Sequence, residues 1–477
     1  MNTSIKFIDL FAGIGGMRLG LEDACKKIGI ASKCVFTSEI KPHAIETYQQ
    51  NFKINNIYGN IAEVSAKEIP DFDILLAGFP CQPFSTAGTR QGFLDTRGTL
   101  FFEIERILQE KQPFGFLLEN VEGLVKHNHG KTLATILSKL ELLNYQVTWE
   151  VFNAKDFGIP QDRKRIYIAG TKKHLISLKF SSTESSFRHG SRYKSAKPPN
   201  ALPWETRPKD SPKYQPALKD ILQKNQPLLK THLVEKLISY YPLKELHGKA
   251  IKDKRGGQDN IHSWDLELKG KVSNAQKELL NQLLKERRKK TWAELKGIKW
   301  MDGMPLTIEE ILTFYNPSNL FESNNLQAML DDLVEKGYLK FEYPKDLTQS
   351  VNQNGGIVKK RQYRTDLPKG YNIVVGKLSF EINKILDPIS ITPTLVATDM
   401  SRLAVVDGNG IRKLTIREGL RLFGFPENYQ INLSSVDKAF DLLGNTVVVP
   451  VIKEIAERII IQKLISVPNQ SYNLCSV

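Results

Sequence analysis

The chain has 477 residues, 67 Lys and Arg against 52 Asp and Glu, a net charge of +15 and 41% hydrophobic residues, a globular balance that excludes a disordered or fibrous protein. Its length exceeds the ~250–300 residues at which single cores stop growing, so two or more domains are expected. Only four cysteines occur, Cys25, Cys34, Cys81 and Cys475, none closely paired; this excludes a disulfide framework and a cysteine-rich zinc site, and no metal is expected.

The first residues, MNTSIKFIDL, carry no signal-peptide pattern, and no run of 18 apolar residues marks a membrane span. Residues 5–11 form a strand candidate, followed by a glycine-rich turn and a helix over 17–28. Short apolar runs at 34–37, 72–77, 114–118, 147–152 and 166–170 then alternate with amphipathic stretches such as 99–110 and 130–143. This alternation predicts an α/β domain, a mostly parallel sheet with helices on both faces. Ligands of such sheets bind beyond the carboxyl ends of the strands.

The unusual residues follow the apolar runs. After the first comes Phe11-Ala12-Gly13-Ile14-Gly15-Gly16, whose glycines let the backbone turn sharply and approach a ligand. The spacing is not the dinucleotide GxGxxG. Glu39, after the second run, offers a carboxylate for ribose hydroxyls. The pair suits a nucleoside without a pyrophosphate, or else a tight turn beside a solvent-facing acid. After the third run, prolines bracket Cys81 in Gly78-Phe79-Pro80-Cys81-Gln82-Pro83-Phe84-Ser85. Such a cysteine is a nucleophile where nearby positive charge lowers its pKa, and otherwise a buried apolar residue. Glu119-Asn120-Val121 places an acid at the same crevice or merely at a helix start. In Gln161-Asp162-Arg163-Lys164-Arg165, strand alternation puts Arg163 and Arg165 on one face, toward one anionic target or toward solvent.

These segments resemble the C5-specific cytosine DNA methyltransferases. Residues 9–20 are similar to that family's S-adenosylmethionine motif, Gly78 to Ser85 to its Pro-Cys motif, Glu119 to Val121 to its Glu-Asn-Val motif and Gln161 to Arg165 to its Gln-x-Arg-x-Arg motif. The resemblance implies a Rossmann-like S-adenosylmethionine-dependent methyltransferase domain with a separate inserted target-recognition domain. It implies catalytic roles for Cys81, Glu119, Arg163 and Arg165. It implies cofactor contacts from Asp9, Phe11, Ala12, Gly13, Gly15, Gly16, Glu39, Ile40, Asn60, Ile61, Gly78, Pro80, Asn445 and Val447. Asn60 stands where the family often has an aspartate. Cys81 would add to cytosine C6, Glu119 would hydrogen-bond N3, and Arg165 would donate to O2. The target base must leave the duplex, and the loop 85–99, with Ser85, Arg90, Gln91 and Arg97, would close on the DNA, as would Gln161.

From about 173 the alternation stops and Ser, Lys and Pro dominate to Pro212. The interval 191–390 holds 35 Lys and Arg against 24 Asp and Glu, a net +11. Its densest run, Lys285 to Lys290, ends a helix starting near Asn274 and suits either phosphates or solvent. Two helices over 307–314 and 326–336, a strand over 337–341 and a later one over 371–375 suggest a small winged-helix-like unit near 306–343, or a plain helical insert. By its position this region is the family's recognition domain. Arg255, Gln258, Asn260, Arg361, Gln362 and Arg364 all carry donors suited to base edges, and composition does not choose among them.

In the last region Thr415 and Glu418 form a capping-box pattern. Asp441-Leu442-Leu443-Gly444-Asn445-Thr446-Val447 is similar to the family's final motif, and an apolar helix follows over 447–464, with Pro450 in its first turn. The expected layout is 1–180 catalytic, 181–390 recognition, 391–429 bridging and 430–477 completing the catalytic domain. The expected activity is site-specific cytosine-5 methylation of double-stranded DNA by a cytoplasmic bacterial monomer. It would be paired in function with a restriction endonuclease, without a stable complex and away from membranes. A non-catalytic DNA-binding relative, a transfer-RNA cytosine-5 methyltransferase and a small-molecule methyltransferase are the rivals.

Overall fold

The computed structural model describes residues 4–79, 100–172, 217–254, 256–299, 303–315, 323–351, 357–375 and 380–465. Cys81, Pro80, Ser85, Arg90, Gln91, Arg97 and Arg255 lie outside them, as do the expected closing loop and the Ser/Lys/Pro-rich stretch before 217. The chain divides into two compact units. Unit 1 takes 1–224, 389–401 and 414–477; unit 2 takes 225–388 and 402–413.

Unit 1 is built on a six-stranded sheet of β1 (Ser4–Leu10), β2 (Ala31–Ser38), β3 (Ile74–Gly78), β4 (Gly115–Val121), β5 (Tyr145–Asn153) and β6 (Lys164–Lys172). The order is β2-β1-β3-β4-β6-β5. Pairing is parallel from β2 to β4, and β6 runs antiparallel to both β4 and β5. Central strands read as continuous apolar runs, such as Ile74-Leu75-Leu76-Ala77, because helices cover both faces. On one face α3 (Leu100–Lys111) and α4 (Lys131–Leu142) bury Phe101, Ile104, Ile107, Leu108, Ile136 and Leu140 against the sheet. Elsewhere in the unit lie α1 (Gly16–Ile28) and α2 (Pro42–Phe52).

The C-terminal return supplies α10 (Ile416–Arg421), α11 (Val436–Gly444) and α12 (Val449–Ile465). α12 is apolar around most of its circumference because it lies between α1 and the sheet. A Cβ on Gly20 of α1 would meet Ile452 Cβ at 2.5 Å, and one on Gly115 of β4 would meet Ile459 at 3.4 Å. Salt bridges Lys27–Glu457 (2.9 Å) and Lys463–Asp73 (2.7 Å) close the edges of that contact. The expected capping box is present: Thr415 N–H donates to Glu418 Oε2 (2.8 Å) and Glu418 N–H to Thr415 Oγ1 (3.1 Å).

The boundaries differ from the sequence reading. The chain is back in unit 1 at 389–401, leaves for a hairpin at 402–413, and returns for good at Leu414, ahead of 430.

Unit 2 opens with α5 (His232–Tyr240) and the two-residue strands β7 (Ala250–Ile251) and β8 (Asn260–Ile261). Next come α6 (Asn274–Glu286), α7 (Lys290–Leu295), α8 (Ile308–Leu312) and α9 (Ser323–Glu335), then β9 (Leu339–Glu342), β10 (Lys345–Val351), β11 (Ile357–Tyr363) and β12 (Gly370–Ile373). β13 (Lys384–Leu386), β14 (Leu403–Asp407) and β15 (Gly410–Lys413) complete it. One apolar cluster joins α6 to α9 with Tyr338, Leu339, Tyr371 and Ile373. β9 and β12 pair antiparallel. A second cluster sits with α5 and the five-stranded sheet β15-β14-β13-β7-β8. That sheet was not foreseen, because three of its strands, β7, β8 and β13, have only two or three residues and carry no periodicity.

Candidate active site

The strand order reverses direction at β1, whose neighbours β2 and β3 lie on opposite sides, and a sheet of this kind is expected to have its ligand crevice beyond the carboxyl ends there. The first wall is the turn after β1. Phe11, Gly13 and Gly15 all have positive φ (53°, 53° and 79°). Gly15 has a second constraint, since a Cβ would lie 2.3 Å from the Phe52 ring. Gly13 N–H donates to Glu39 Oε2 (2.7 Å), while Glu39 Oε1 accepts from Ile40 N–H and Lys41 N–H (2.8 Å each) at the start of α2. These three bonds fix the Glu39 carboxylate, and a carboxylate has about four acceptor sites, so room for a hydroxyl donor remains. Ile40 beside it is 68% exposed, an apolar surface without cover from the described residues.

Asp9 lies beneath this turn, fully buried. Its Oδ2 accepts from Tyr48 Oη (3.0 Å) and its Oδ1 has no partner among the described residues. Burial pushes this carboxyl up from 3.8 to about 8, against the opposing pull of the Tyr48 hydrogen bond and Arg18. Tyr48 was not singled out from the sequence; it sits on α2 39 residues away, with no local pattern to mark it. Tyr429, from the C-terminal return, donates to the Ile14 carbonyl and holds the turn from outside.

Gly78 and Val447 form the opposite wall. A Cβ on Gly78 would meet Met17 Sδ, Glu119 Oε2 and Val447 Cγ1 at 3.7–3.8 Å, so Gly78 faces both the crevice and the acid. A Cβ on Gly16 would reach Val447 Cγ2 at 2.8 Å. Other expected contacts stand differently. Asn445 is exposed and its amide turns back to the Asp441 carbonyl of its own helix (2.8 Å). Ile61 is 2% exposed and belongs to the apolar core. Asn60 caps a single turn, its Oδ1 accepting from Ala62 N–H (3.2 Å) and its Nδ2 donating to Glu63 (3.0 Å). Ala12 N–H donates to the Ser38 carbonyl (3.1 Å), which couples β1's turn to β2.

Glu119 is buried near the end of β4, in register with Gly78 on β3 and Tyr167 on β6. Burial raises its pKa, opposed by Arg165 and then Arg163. Arg165 Nε lies 3.2 Å from Glu119 Oε1. Next door, Asn120 Nδ2 donates to the Phe79 carbonyl (3.3 Å), anchoring the segment that leads to Pro80 and Cys81. The sequence reading gave Asn120 no role of its own. A cleft of about 350 Å3 lies beside Arg165, between Val121, Gly123, Asp162, Lys164 and Thr394.

Gln161 and Arg163 correct the expectation. Both were read as facing a ligand, Gln161 as a DNA contact and Arg163 as Arg165's companion in catalysis. Gln161 is completely buried, its Nε2 donating to the Leu422 carbonyl (2.7 Å) and its Oε1 accepting from Leu395 N–H (3.2 Å). That leaves no amide atom for DNA. Arg163 is 3% exposed and donates to the carbonyls of Leu395 (2.9 Å), Thr446 (2.8 Å) and Gly444 (3.4 Å), with its guanidinium 5.1 Å over Phe423. Burial, helped by Arg165, lowers it to about 9, still protonated at neutral pH. It stitches the crevice wall at 444–447 to the segment at 389–401. Of the four motif positions Arg163, Arg165, Gln161 and Glu119, only Arg165 and Glu119 form an ion pair with each other.

No cluster of metal-ligating side chains occurs among the described residues, and no helix among them is long and apolar enough to cross a membrane. The family model for C-5 cytosine-specific DNA methylases matches residues 5–461. The type II methyltransferase M.NlaIV of Neisseria lactamica is 53% identical over 96% of this chain and 99% of its own length. M.NgoBV of Neisseria gonorrhoeae is 52% identical over the same shares, and M.BanI of Aneurinibacillus aneurinilyticus is 41% identical over 95% of each chain. These matches run through unit 2 as well as unit 1. Among solved structures, the Dnmt2 methyltransferase of S. pombe aligns over 97% of this chain and 100% of its own at a TM-score of 0.50 and 16% identity, a likeness of fold.

Proposed function

The chain belongs to the family of C-5 cytosine-specific DNA methylases, and from that premise we propose that it methylates C5 of a cytosine swung out of double-stranded DNA, with S-adenosylmethionine as donor. The observation that carries the reading is a buried carboxyl, Glu119, with raised pKa, 3.2 Å from a guanidinium and in register with the strand end that leads to Cys81.

The crevice suits the donor. The Glu39 carboxylate has capacity for a ribose hydroxyl, Ile40 offers an apolar face for a purine, and a Cβ on Gly13 would meet nothing within 4 Å, which leaves room beside the turn. The unpartnered Oδ1 of Asp9 beneath the turn is a polar atom that a polar ligand group can satisfy. Bound there, S-adenosylmethionine supplies an electrophilic methyl group.

The chain's residues make cytosine able to accept it. C5 of an aromatic pyrimidine is a poor nucleophile. The Cys81 thiolate adds to C6, and the electron pair displaced from the C5–C6 bond moves into the ring. Glu119, protonated, hydrogen-bonds N3 and offsets the charge. Arg165 donates to O2 on the same side and holds Glu119 in place. C5, now enamine-like, takes the methyl group; a base removes the C5 proton; the C6–S bond breaks and Cys81 leaves as thiolate. The base is reachable only outside the stack, at a cost of a few kcal/mol.

Unit 2, with most of the surplus positive charge, is the target-recognition domain in this reading. The relatives' type II assignment carries over as well: the enzyme acts alone as a bacterial cytoplasmic monomer and protects DNA against a separate restriction endonuclease. Tritiated methyl transfer to duplex DNA and to transfer RNA tests the substrate, and activity on transfer RNA alone refutes it. Cys81→Ser is expected to abolish turnover while cofactor binding persists. A duplex carrying 5-fluorocytosine in the target site should form a covalent adduct through Cys81, and absence of adduct refutes the mechanism.

A further inference from the structure

The turn after β1 does not keep its shape on local preference alone. Phe11 takes φ 53°, a left-handed conformation that is costly for a residue with a side chain, and Gly13 and Gly15 share that region. Such a conformation persists where its surroundings over-determine it. Within the turn, Gly15 N–H donates to the Ala12 carbonyl (2.8 Å). The Ser38 carbonyl and the Glu39 carboxylate hold it from the end of β2. A further support comes from 415 residues along the chain, where the Tyr429 hydroxyl donates to the Ile14 carbonyl.

A buried tyrosine hydroxyl ordinarily finds some acceptor. What sets Tyr429 apart is its seating. It is 3% exposed, and its ring meets Phe425 edge-on (centroids 4.8 Å) and Phe52 at 6.3 Å. Those two rings press on the end of the same turn: a Cβ on Gly15 would lie 2.3 Å from Phe52, and one on Gly16 3.4 Å from Phe425. The backbone around Tyr429 is gripped twice. Arg417 of α10 donates to the carbonyls of Tyr429 (2.7 Å) and Pro426 (3.2 Å). Asn51 of α2 exchanges two bonds with the main chain of Gln430 (2.7 and 2.9 Å). α10 is fastened in its turn, with Glu418 accepting from Gln223 N–H (2.7 Å) and Arg421 donating to the Ile221 carbonyl (2.8 Å). A frame fixed at several points therefore delivers the hydroxyl to the turn.

We propose that Tyr429 is a positioning residue for the cofactor: acting through the Ile14 carbonyl, it holds the glycine-rich turn in its binding conformation before the ligand arrives. The inference rests on the cofactor reading above and goes beyond it by assigning part of the affinity to a residue of the C-terminal return. A turn ordered in advance spares the ligand the cost of ordering it.

The test is Tyr429→Phe in the full chain, which keeps the ring and deletes the hydroxyl. Isothermal titration is expected to show the S-adenosylmethionine Kd rising about three- to tenfold, the range that one lost buried hydrogen bond allows. In steady-state methylation the cofactor KM should rise alongside, with kcat at saturating cofactor changing by less than about twofold. Amide hydrogen exchange at 11–16 should quicken in the cofactor-free variant and slow again at saturating cofactor. A lower unfolding temperature with unaltered Kd and exchange would make Tyr429 merely structural and overturn the proposal. Wild-type protein gives a second measurement that does not depend on the variant's folding: added cofactor should protect 426–431 together with 11–16, and protection of 11–16 alone overturns the link. Absence of cofactor binding by wild-type protein would overturn the cofactor reading itself and this role with it, whereas normal wild-type binding with an unaltered variant overturns the role alone.

Discussion

Replacing Arg163 by alanine separates the role seen here from a role in catalysis. The side chain holds the Leu395 and Thr446 carbonyls at 2.9 and 2.8 Å and the Gly444 carbonyl more loosely at 3.4 Å. Truncation leaves two well-bonded buried carbonyls without a donor, at about 1–3 kcal/mol each. It also removes a large side chain from against Phe423, while relieving the burial of one charge. The net loss is roughly 2–5 kcal/mol in unit 1. The damage centres on 444–447, where Val447 lines the proposed cofactor crevice. If about 1.4 kcal/mol is needed to reorder that wall, cofactor affinity falls about tenfold. Isothermal titration with S-adenosylmethionine, thermal unfolding and single-turnover methylation together read this out. The expected pattern is a weaker cofactor Kd and a lower unfolding temperature, with Arg163→Lys failing to rescue because an ammonium lacks the planar fork that spans several carbonyls. Arg165→Ala should show the reverse, a lower kcat with cofactor affinity preserved. If Arg163→Ala instead lowers kcat alone, with Kd and unfolding unaltered, the reasoning is refuted and Arg163 belongs to the reacting face.

Further outcomes follow from the same geometry. Glu119→Gln should lower kcat by about 10²–10⁴-fold; because burial raises the Glu119 pKa, the wild-type rate should fall as pH climbs through that raised value, and the variant should lose this limb. Asp9 holds its proton up to about pH 8 in the fold but loses it near 3.8 when unfolded, so between those values the unfolded chain binds fewer protons and stability declines with rising pH. Asp9→Asn, which can keep the Tyr48 hydrogen bond, should flatten that decline in urea unfolding followed from pH 4 to pH 8. Gly20→Ala would set a methyl 2.5 Å from Ile452 Cβ and 3.0 Å from Lys453 N and should destabilise the α1–α12 contact by about 1–3 kcal/mol; an unfolding temperature equal to wild type would show that the helices are free to separate.

Much of the architecture could be read from residue order. The strands and helices of unit 1 follow from apolar runs and helical spacing, the α10 capping box from Thr415 and Glu418, and the first turn of α12 from Pro450. Each depends on neighbours within a few positions, so each leaves a local pattern. The same holds for the order of the motifs, which identified the family. Partners remote in sequence left no such mark. Gln161 and Arg163 were recognised as motif residues, yet their acceptors are backbone carbonyls 232 to 283 residues away, and every residue has a carbonyl. Likewise three strands of the small sheet of unit 2, β7, β8 and β13, are too short for periodicity, and the departure of 402–413 from unit 1 depends on β14 finding β13. Residue order by itself therefore determined the elements of unit 1, their succession and the family. Which motif side chains pair with one another, as Arg165 does with Glu119, and which are buried as stitching between distant segments, was decided by tertiary contacts alone, because only the folded chain brings a donor and its remote acceptor within hydrogen-bond reach.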